Sequence, residues 1–355
     1  MGLGTSGRGQ PWPVPFSVAP VLAARGKRVA VLASGDPFWH GAGGSLTRHL
    51  ASGEWIAHPA PSCFSLAAAR MGWKLEDTLC LGLHAAPLTR LRPHLAPGQP
   101  ILCTLRDGAA AGELAAWLHS TGWGESTLWV MEALGGPRAR ITETTARGFA
   151  LTALSAPVLV ALLPAGGAAL SRVPGLPDAL FAQDGQITKA PVRALTLAAL
   201  APRPGEHLWD LGAGSGSVSV EWCLAGGTAS AVETRPDRVP NIRANALNFG
   251  VDHRLAVHEG TSLERVAQLP QPQAVFIGGG GDAALLAAVW AALPNGGRLV
   301  INAVTLETEA LVLAAHADWG GSLLRIDLAQ AAPLGRMRGW TPARPLVQWS
   351  VTKCA

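Results

Sequence analysis

Short apolar runs alternate with longer stretches of helical periodicity along both halves of the chain. In the first half, runs of branched and aromatic residues bounded by turn-forming residues predict strands at 27–34, 99–105 and 126–132. The segments between these runs favour helices. Because strands separated by helices are typical of parallel sheets, the first half is predicted to be an α/β domain with a mostly parallel sheet.

The second half repeats this alternation with more elements. Strands are predicted at 207–212, 229–234, 253–260, 273–278 and 297–304. Helices are predicted at 189–200, directly after residue 216, at 236–249 and at 283–293. The runs LLRIDLAQ and LVQWSVT, from residue 323 onward, favour a closing antiparallel pair. This order predicts a doubly wound, Rossmann-like α/β domain.

A chain of 355 residues is long enough for two domains. Glycines and prolines scattered over 164–185 indicate a linker, so the predicted domains are 1–163 and 186–355. The most apolar segment, 149–170, is interrupted by Pro157 and Pro164. The run VLVALL between them is too short to span a membrane and favours a buried strand, so no membrane association is expected.

Composition narrows the class of protein. With 48% hydrophobic and 15% charged residues the chain is expected to be globular. A net charge of +4, without dense clusters of Lys and Arg, suits either an ordinary surface or the steering of a polyanionic small molecule, and it disfavours nucleic acid. The five cysteines form no CxxC pair, and no signal peptide is visible. We therefore expect reduced thiols, no metal site and a cytoplasmic location.

The stretch HLWDLGAGSGSVSVEW, residues 207–222, carries the main chemical signal. A dinucleotide fingerprint is G-x-G-x-x-G, whereas here the third glycine comes one position early. Asp210 precedes the loop, and a carboxylate repels a diphosphate but attracts the ammonium of S-adenosylmethionine. The spacing favours that methyl donor over a nicotinamide dinucleotide, and a tight turn without a ligand is the structural alternative. The predicted loop residues are Gly212, Ala213, Gly214, Ser215 and Gly216.

Three further positions complete the predicted cofactor site. Glu233 ends the next strand, where it can accept hydrogen bonds from ribose hydroxyls, although dinucleotide sites use the same device. The stretch HEGTS, with Ser262, follows the third strand and is placed to meet the adenine. Gly278 follows the fourth strand within a run of four glycines. No side chain there could hold an exocyclic base amine, which also disfavours a nucleic-acid substrate.

Several longer stretches resemble one family. ITKAPVRALTLAALAPRPGEHLWDLGAGSGSVSVEW, VETRP, NIRANALNFGV, EGTSLE, VFIGGGG and NGGRLVINAVTLETE look like the decarboxylating precorrin methyltransferase domain of cobalamin biosynthesis. In the first half, VLASGDPFWHGAG, HPAPSCFSLAAARMGW, LCLGLH and TLRDGA are similar to a tetrapyrrole methyltransferase domain. The resemblance implies S-adenosylmethionine-dependent methylation of a precorrin at carbons 5 and 15, with loss of carbon dioxide from the ring-C acetate.

The same resemblance implies roles for individual residues. Thr188, Gly212–Gly216, Glu233 and Ser262 fall on the donor-binding pattern of the second domain, and Ser262 replaces a common alanine. The first-domain positions on the family pattern are Gly35, Asp36, Pro37 and Ser62. The family's opening strand and glycine loop have no counterpart here, so we expect either that the first domain is incomplete or that the start codon is assigned too late. One alternative is that only the second domain is active, in carbon-15 methylation and decarboxylation, with the first half a docking module. A more distant alternative is a nicotinamide-dependent oxidoreductase.

Methyl transfer from a sulfonium to an enamine-like meso carbon needs alignment more than a strong base. The expected protein contribution is therefore an anchor for a polycarboxylate tetrapyrrole. Arg336, Arg338 and Arg344 lie near a tryptophan and suit forked carboxylate contacts, or form a solvated loop. Further substrate-site candidates, each with an ordinary structural alternative, are Asn302, Thr305, Glu307 and His84. A homo-oligomer is expected.

Overall fold

The computed structural model describes residues 9–354, which form two compact units. The first unit contains the described residues up to Ala85 together with Pro97–Gly167. The second contains Ala86–Ala96 and the described residues from Ala168 onward. Each unit has its own sheet and its own buried core.

The first unit is built on a five-stranded sheet. Its helices are α1 (Ala19–Ala23), α2 (Gly43–Thr47), α3 (Cys63–Met71) and α4 (Ala109–Ser120). Its strands are β1 (Leu79–Gly82), β2 (Ile101–Thr104), β3 (Thr127–Glu132), β4 (Arg140–Thr145) and β5 (Val158–Leu163). The strand order is β1-β2-β5-β3-β4. One face of the sheet packs on α3, through Phe64, Leu102, Met131 and Leu159.

Two predictions for the first half were wrong. The strand predicted at 27–34 is absent, since residues 28–33 form no strand. Val29 and Leu32 are 47% and 56% exposed, because no strand within residues 9–354 pairs with this apolar run. The sheet is not mostly parallel either, since only β1 and β2 are parallel. The physical reason is the insertion of β5, the buried run VLVALL, between β2 and β3 in antiparallel orientation to both.

The second unit contains the remaining helices and strands. The helices are α5 (Ala190–Leu200), α6 (Ser217–Leu224), α7 (Val239–Asn248), α8 (Ser262–Val266), α9 (Ala283–Ala292) and α10 (Leu306–Trp319). The strands are β6 (His207–Leu211), β7 (Thr228–Glu233), β8 (Leu255–Glu259), β9 (Ala274–Ile277), β10 (Arg298–Ala303), β11 (Ser322–Ile326), β12 (Ala329–Leu334), β13 (Met337–Pro342) and β14 (Leu346–Thr352). The strands and helices predicted for this half are confirmed, with small shifts at their ends.

Seven of these strands form a doubly wound sheet in the order β11-β14-β10-β9-β6-β7-β8. The five strands from β10 to β8 are parallel, and β14 is antiparallel to both of its neighbours. The predicted closing pair is therefore confirmed. Successive side chains of a strand point to opposite faces, so Leu208 joins the core on the α5–α7 side, and Trp209 joins the core on the α8–α10 side. β12 and β13 form a separate two-stranded ribbon.

Residues 164–185, predicted to be a linker by composition, contain no strand or α-helix in the structure. Leu176 and Phe181 are nevertheless buried in the core of the second unit, at 2% and 5% exposure. Residues 164–167 belong to the first unit, and the segment from Ala168 onward packs as an irregular part of the second.

Candidate active site

Two glycine-containing loops of the second unit meet where the strand order reverses. β6 lies between β7 and β9, and open parallel sheets bind ligands at such a point, outside the carboxyl ends of their strands. Gly278, directly after β9, donates its N–H to the carbonyl of Leu211 at 2.9 Å. A Cβ atom on Gly212 would lie 2.6 Å from the carbonyl oxygen of Gly279. The structure therefore brings Gly212 and Gly278, two predicted cofactor residues, to one place.

The glycine loop, residues 212–216, turns sharply from β6 into α6. Gly212, Gly214 and Gly216 have φ angles of +72°, +59° and +72°, a region that residues with side chains rarely adopt. Gly216 also meets α7, because a Cβ atom there would lie 2.7 Å from Cγ2 of Ile242. The turn and the packing of α7 both require glycine in this loop.

Backbone N–H groups of the glycine loop are largely used within the protein. Those of Gly212 and Ala213 both donate to the carbonyl of Val232 at 3.0 Å. That of Gly214 donates to Oε2 of Glu233 at 2.7 Å. A diphosphate at a strand-to-helix turn is held by unpaired amides. This loop therefore has few unpaired N–H groups with which to bind the diphosphate of a dinucleotide.

Glu233 connects the glycine loop with the end of β8. Its carboxylate is only 5% exposed and also accepts the N–H of Arg235 at 2.9 Å. Its carbonyl accepts the N–H of Gly260 at 3.0 Å. Two residues further on, Ser262 begins α8, which is capped by Thr261. The predicted ribose-binding acid and the predicted adenine segment thus lie on adjacent strand ends.

Asp210 lies beneath the glycine loop and is fully buried. Its Oδ2 accepts hydrogen bonds from the backbone N–H and the hydroxyl of Ser219, at 3.1 and 2.6 Å. Burial raises the pKa of Asp210 to about 6, against the lowering effect of the Ser219 hydrogen bonds. Because no oxygen of Asp210 is exposed, its charge acts on a ligand through the electric field across the loop.

Two buried polar atoms at this site have no partner among the described residues. They are Oδ1 of Asp210 and Oγ of Ser215. Buried polar atoms in folded proteins are nearly always hydrogen-bonded. Asp210 and Glu233 place two carboxylates at a loop whose amides are largely paired within the protein. Together with the two unpartnered atoms and the glycines of the loop, they fit the cationic methyl donor S-adenosylmethionine.

The predicted substrate residues after β10 have ordinary structural roles. Asn302 is buried, and its amide is bonded to Thr196 at 2.9 Å and to Gln348 at 2.9 Å. Thr305 caps α10 by accepting the N–H of Thr308 at 3.2 Å. Glu307 lies in the first turn of α10, where a carboxylate is favoured by the helix dipole. The hydrogen bonds of Asn302 and Thr305 go to Thr196, Gln348 and Thr308, and not to the glycine loop.

The predicted arginine anchor lies on the β12–β13 ribbon. Arg336 is in the tight turn after Gly335, Arg338 is on β13, and Arg344 follows that strand. Within residues 9–354 none of the three forms an ion pair. Trp340 is 76% exposed and shares a face of the ribbon with Arg338, because the two are separated by two positions.

Predicted donor residues of the first unit also come together. A Cβ atom on Gly35, which has a φ of +72°, would lie 3.2 Å from Cα of Ser62. Ser62 caps α3 by accepting the N–H of Ser65 at 3.1 Å. Asp36 accepts the N–H of Phe38 at 2.8 Å, which forms the turn that contains Pro37. The two predicted segments are thus in direct contact.

His84, the remaining candidate of the first unit, follows β1. Its Nδ1 is 3.1 Å from Oγ1 of Thr104. The ring of His40 lies edge-on to it, with centroids 5.9 Å apart. His40 has a positive φ of 56°, and its ring occupies the space where a side chain on Gly82 would be. Burial and the neighbouring His84 lower the pKa of His40.

Four residues at these sites were not singled out from the sequence. They are Ser219 and His40, described above, Asn245, which donates to the carbonyl of Ser215 at 2.8 Å, and Arg193, which donates to the carbonyl of Thr188. Ser219 lies nine positions after Asp210, and Asn245 bonds to the loop from another helix. No motif spacing therefore predicts that either residue is part of the site. Their roles depend on tertiary contacts.

Residues 9–354 contain neither a cluster of metal-ligating side chains nor a helix that could cross a membrane. Among residues 9–354, no group of three or more His, Cys, Asp or Glu side chains is arranged to hold a metal ion. In the same part of the chain, every helix is too short or too polar to cross a membrane.

The chain is similar to known proteins over nearly its whole length. A family model described as a precorrin methyltransferase domain matches residues 179–353, and one described as tetrapyrrole (corrin/porphyrin) methylases matches residues 17–150. A relative from Sinorhizobium sp, named precorrin-6Y C(5,15)-methyltransferase (decarboxylating), is 50% identical over 349 residues, which cover 96% of this chain and 84% of that protein.

Two shorter relatives match about half of the chain. The crystal structure of the C-terminal domain of precorrin-6Y C5,15-methyltransferase from Rhodobacter capsulatus is 59% identical, with a TM-score of 0.51, and the match covers 52% of this chain and 100% of that one. A Pyrobaculum aerophilum protein, named probable cobalt-precorrin-6B C(15)-methyltransferase (decarboxylating), is 36% identical over 182 residues, which cover 49% of this chain and 91% of that protein.

Proposed function

This chain belongs to the precorrin-6Y C(5,15)-methyltransferase (decarboxylating) family and is an S-adenosylmethionine-dependent C-methyltransferase of cobalamin biosynthesis, and we propose that its two units divide the reaction. The second unit takes the carbon-15 methylation and the decarboxylation, and the first takes the methylation at carbon 5. The name of the half-length Pyrobaculum relative, which mentions carbon 15 and decarboxylation alone, supports this division.

The glycine loop and Glu233 are the proposed donor site of the second unit. The observation that carries this proposal is the pairing of the loop: the N–H of Gly214 bonds to Glu233, and a buried carboxylate, Asp210, lies beneath. When bound, S-adenosylmethionine supplies an electrophilic methyl group on a cationic sulfur. Asp210 favours the cationic ligand through its charge. Ser215, within the loop, and Thr188, just before α5, are proposed to orient that ligand. Ser262 is the proposed contact for the adenine of the donor.

Gly35, Asp36, Pro37 and Ser62 form the proposed donor site of the first unit. Replacing a meso hydrogen by a methyl group releases a proton, and His84 is the proposed acceptor. Thr104 fixes the ring of His84 through Nδ1, which leaves Nε2 to take the proton. A base held by a hydrogen bond at its second nitrogen is the usual arrangement for a catalytic histidine.

The substrate is a precorrin, and the arginines of the β12–β13 ribbon are its proposed anchor. Planar guanidinium groups bind carboxylates through paired hydrogen bonds, and an exposed tryptophan offers a stacking face for a macrocycle. Arg336, Arg338 and Arg344 have no ion-pair partner among the described residues, so they are available for acetate and propionate groups.

The cytoplasmic location, the homo-oligomeric state and the absence of a nucleic-acid or membrane partner stay predictions.

We expect the full chain to transfer two methyl groups to each precorrin molecule and to release carbon dioxide. The test is incubation with methyl-labelled S-adenosylmethionine, followed by mass spectrometry of the product and measurement of released gas. Transfer of a single methyl group together with decarboxylation would contradict a catalytic first unit and support a docking role for it. Calorimetric titration that detected a nicotinamide dinucleotide but not S-adenosylhomocysteine would overturn the donor assignment.

Donor affinity is expected to fall in acid, by about tenfold per pH unit below pH 6. The reason is Asp210, whose pKa is raised by burial to about 6, so that its attraction for an ammonium is lost on protonation. Because the folded-state pKa is raised, the same group makes the fold less stable as the pH rises from its ordinary pKa of 3.8 to about 6. Calorimetric titration with S-adenosylhomocysteine between pH 5 and 8 would measure the first effect, and an affinity independent of pH would contradict it.

A further inference from the structure

An irregular segment of the second unit runs alongside the glycine loop. This strap, residues 175–188, has a single 3-10 turn, Asp178–Leu180, as its regular structure. It is nevertheless held at its start, because the carboxylate of Glu221 on α6 accepts the N–H groups of Gly175 and Leu176 at 2.7 and 3.0 Å. The glycine loop leads into that same helix. The strap is therefore attached to an element whose start defines the proposed donor site.

Asn245 on α7 links the strap directly to the glycine loop. The side chain is 1% exposed. Its Nδ2 donates to the carbonyls of Ala182 in the strap and Ser215 in the loop, at 2.9 and 2.8 Å. Its Oδ1 accepts the N–H of Ala182 at 2.8 Å. All of these bonds go to the strap or the loop and none goes to the sheet, so this side chain sets the distance between the two segments.

Arg193 on α5 holds both ends of the strap. The side chain is fully buried, donates to Oε1 of Glu221 at 2.6 Å, and also donates to the carbonyls of Leu176 and Thr188. It pairs with Asp178 at 3.1 Å. A buried charge is costly to desolvate even when paired. Its hydrogen bonds fix Thr188, the strap residue that the family pattern assigns to the donor.

The middle of the strap also lies against the loop. A Cβ atom on Gly214 would be 3.6 Å from the carbonyl oxygen of Gln186. Arg238, directly before α7, holds this region by donating to Asp184 and Gln186, each at 2.8 Å. Two buried polar atoms, Oε1 of Gln183 in the strap and Oγ of Ser215 in the loop, have no partner among the described residues. Because buried polar atoms are nearly always hydrogen-bonded, each segment has one polar atom whose partner is missing.

We propose that Asn245 and Arg193 are positioning residues for the methyl donor: they hold the strap against the glycine loop and so set donor affinity without touching the donor. This inference rests on the proposed donor site of the second unit. Because neither side chain reaches the reacting atoms, their loss affects binding of the donor rather than the rate of transfer once the donor is bound.

The test compares Asn245→Asp with Asn248→Asp. The first change keeps the size of the side chain, but a carboxylate cannot donate to the carbonyls of Ala182 and Ser215. Asn248 is on the same helix with an exposed side chain, so it controls for an added charge. We expect Asn245→Asp to raise the Kd of S-adenosylhomocysteine and the KM of the donor by about tenfold, for the loss of two hydrogen bonds. We expect kcat at saturating donor to stay within about twofold, and Asn248→Asp to match the wild type.

Amide hydrogen exchange provides a readout that is independent of activity. In Asn245→Asp the amides of the strap are expected to exchange faster, while those of β6 and β7 keep the wild-type rate. Should that variant not fold, Arg193→Lys takes its place, because lysine keeps the buried charge beside Glu221 but loses the fork that reaches the carbonyls of Leu176 and Thr188.

The outcomes distinguish a failure of the positioning roles from a failure of the proposed donor site. Wild-type donor affinity in the variant, or a fall in kcat with unchanged affinity, would overturn the positioning roles alone. Faster exchange throughout the sheet with unchanged affinity would do the same, since it would indicate a purely structural role. If the wild-type chain itself bound no S-adenosylhomocysteine, the proposed donor site would fall and the positioning roles with it.

Discussion

Replacing Asp210 with asparagine is expected to weaken binding of S-adenosylhomocysteine by about 10- to 100-fold, the effect of losing one charge attraction of a few kcal/mol in a partly buried site. The fold should be unharmed, because asparagine can still accept both hydrogen bonds from Ser219 through its carbonyl oxygen. Stability at neutral pH should be equal or higher, since burial of the carboxylate already raises its pKa to about 6. Calorimetric titration and thermal unfolding of the same samples measure both effects.

Asp282→Asn is the matched control for this change. Asp282 caps α9 by accepting the N–H of Leu285 at 2.8 Å, and asparagine is as good a cap as aspartate. The control should bind S-adenosylhomocysteine like the wild type. Equal affinity of Asp210→Asn and the wild type would show that the buried charge has no part in donor binding. A large loss of stability would instead identify Asp210 as a purely structural residue.

Periodicity was enough to place the parallel strands of the second unit. The inner strands β6, β7, β9 and β10 are buried on both faces and largely apolar, whereas β8 at the edge is partly exposed. The run AVFI at β9 and the run RLVINA at β10 are examples, buried at every position. Their order in the sheet places Gly212 beside Gly278, although the two are far apart in sequence. The donor-site residues of the glycine loop and the acid at the end of the next strand were predicted from their positions in the sequence, because both follow predicted strands.

The first unit shows where this reasoning fails. The run at 28–33 has the composition of a strand, yet a strand exists only if another one pairs with it. The same limit applies to direction: nothing in VLVALL tells whether β5 lies parallel or antiparallel to β2. Pairing is a property of the whole sheet, whereas the composition of a segment is local.

Polar side chains at the site were the hardest to predict. Asn302 follows a strand end, where substrate groups often lie, but in the structure it bonds to Thr196 and Gln348. Asn245 and Arg193 lie in stretches that resemble the family, but no spacing assigns either of them a role. Asn245 bonds to Ser215, 30 residues away in sequence. Which partner a buried polar group finds is decided by tertiary packing, so their roles required the fold.

Gly212→Ala is expected to abolish measurable donor binding by the second unit and, with it, decarboxylation. The φ angle of +72° disfavours a side chain, and the added Cβ would lie 2.6 Å from the carbonyl oxygen and 3.0 Å from the amide nitrogen of Gly279. Backbone atoms cannot move aside as a flexible side chain can, so the strain is about 1–3 kcal/mol and displaces the glycine loop. Titration with S-adenosylhomocysteine and measurement of released carbon dioxide test both consequences.

Gly279→Ala is the comparison that makes this result specific. It adds the same methyl group to the facing loop, but a Cβ atom there meets no other atom within 4 Å and the backbone φ is not positive. This variant should keep wild-type donor affinity and decarboxylation. If the division between the units is correct, Gly212→Ala should still produce a precorrin with one added methyl group and its acetate intact. Unimpaired decarboxylation by Gly212→Ala would place that reaction outside the second unit and refute the division, because this glycine loop is the proposed donor site on which the reaction there depends.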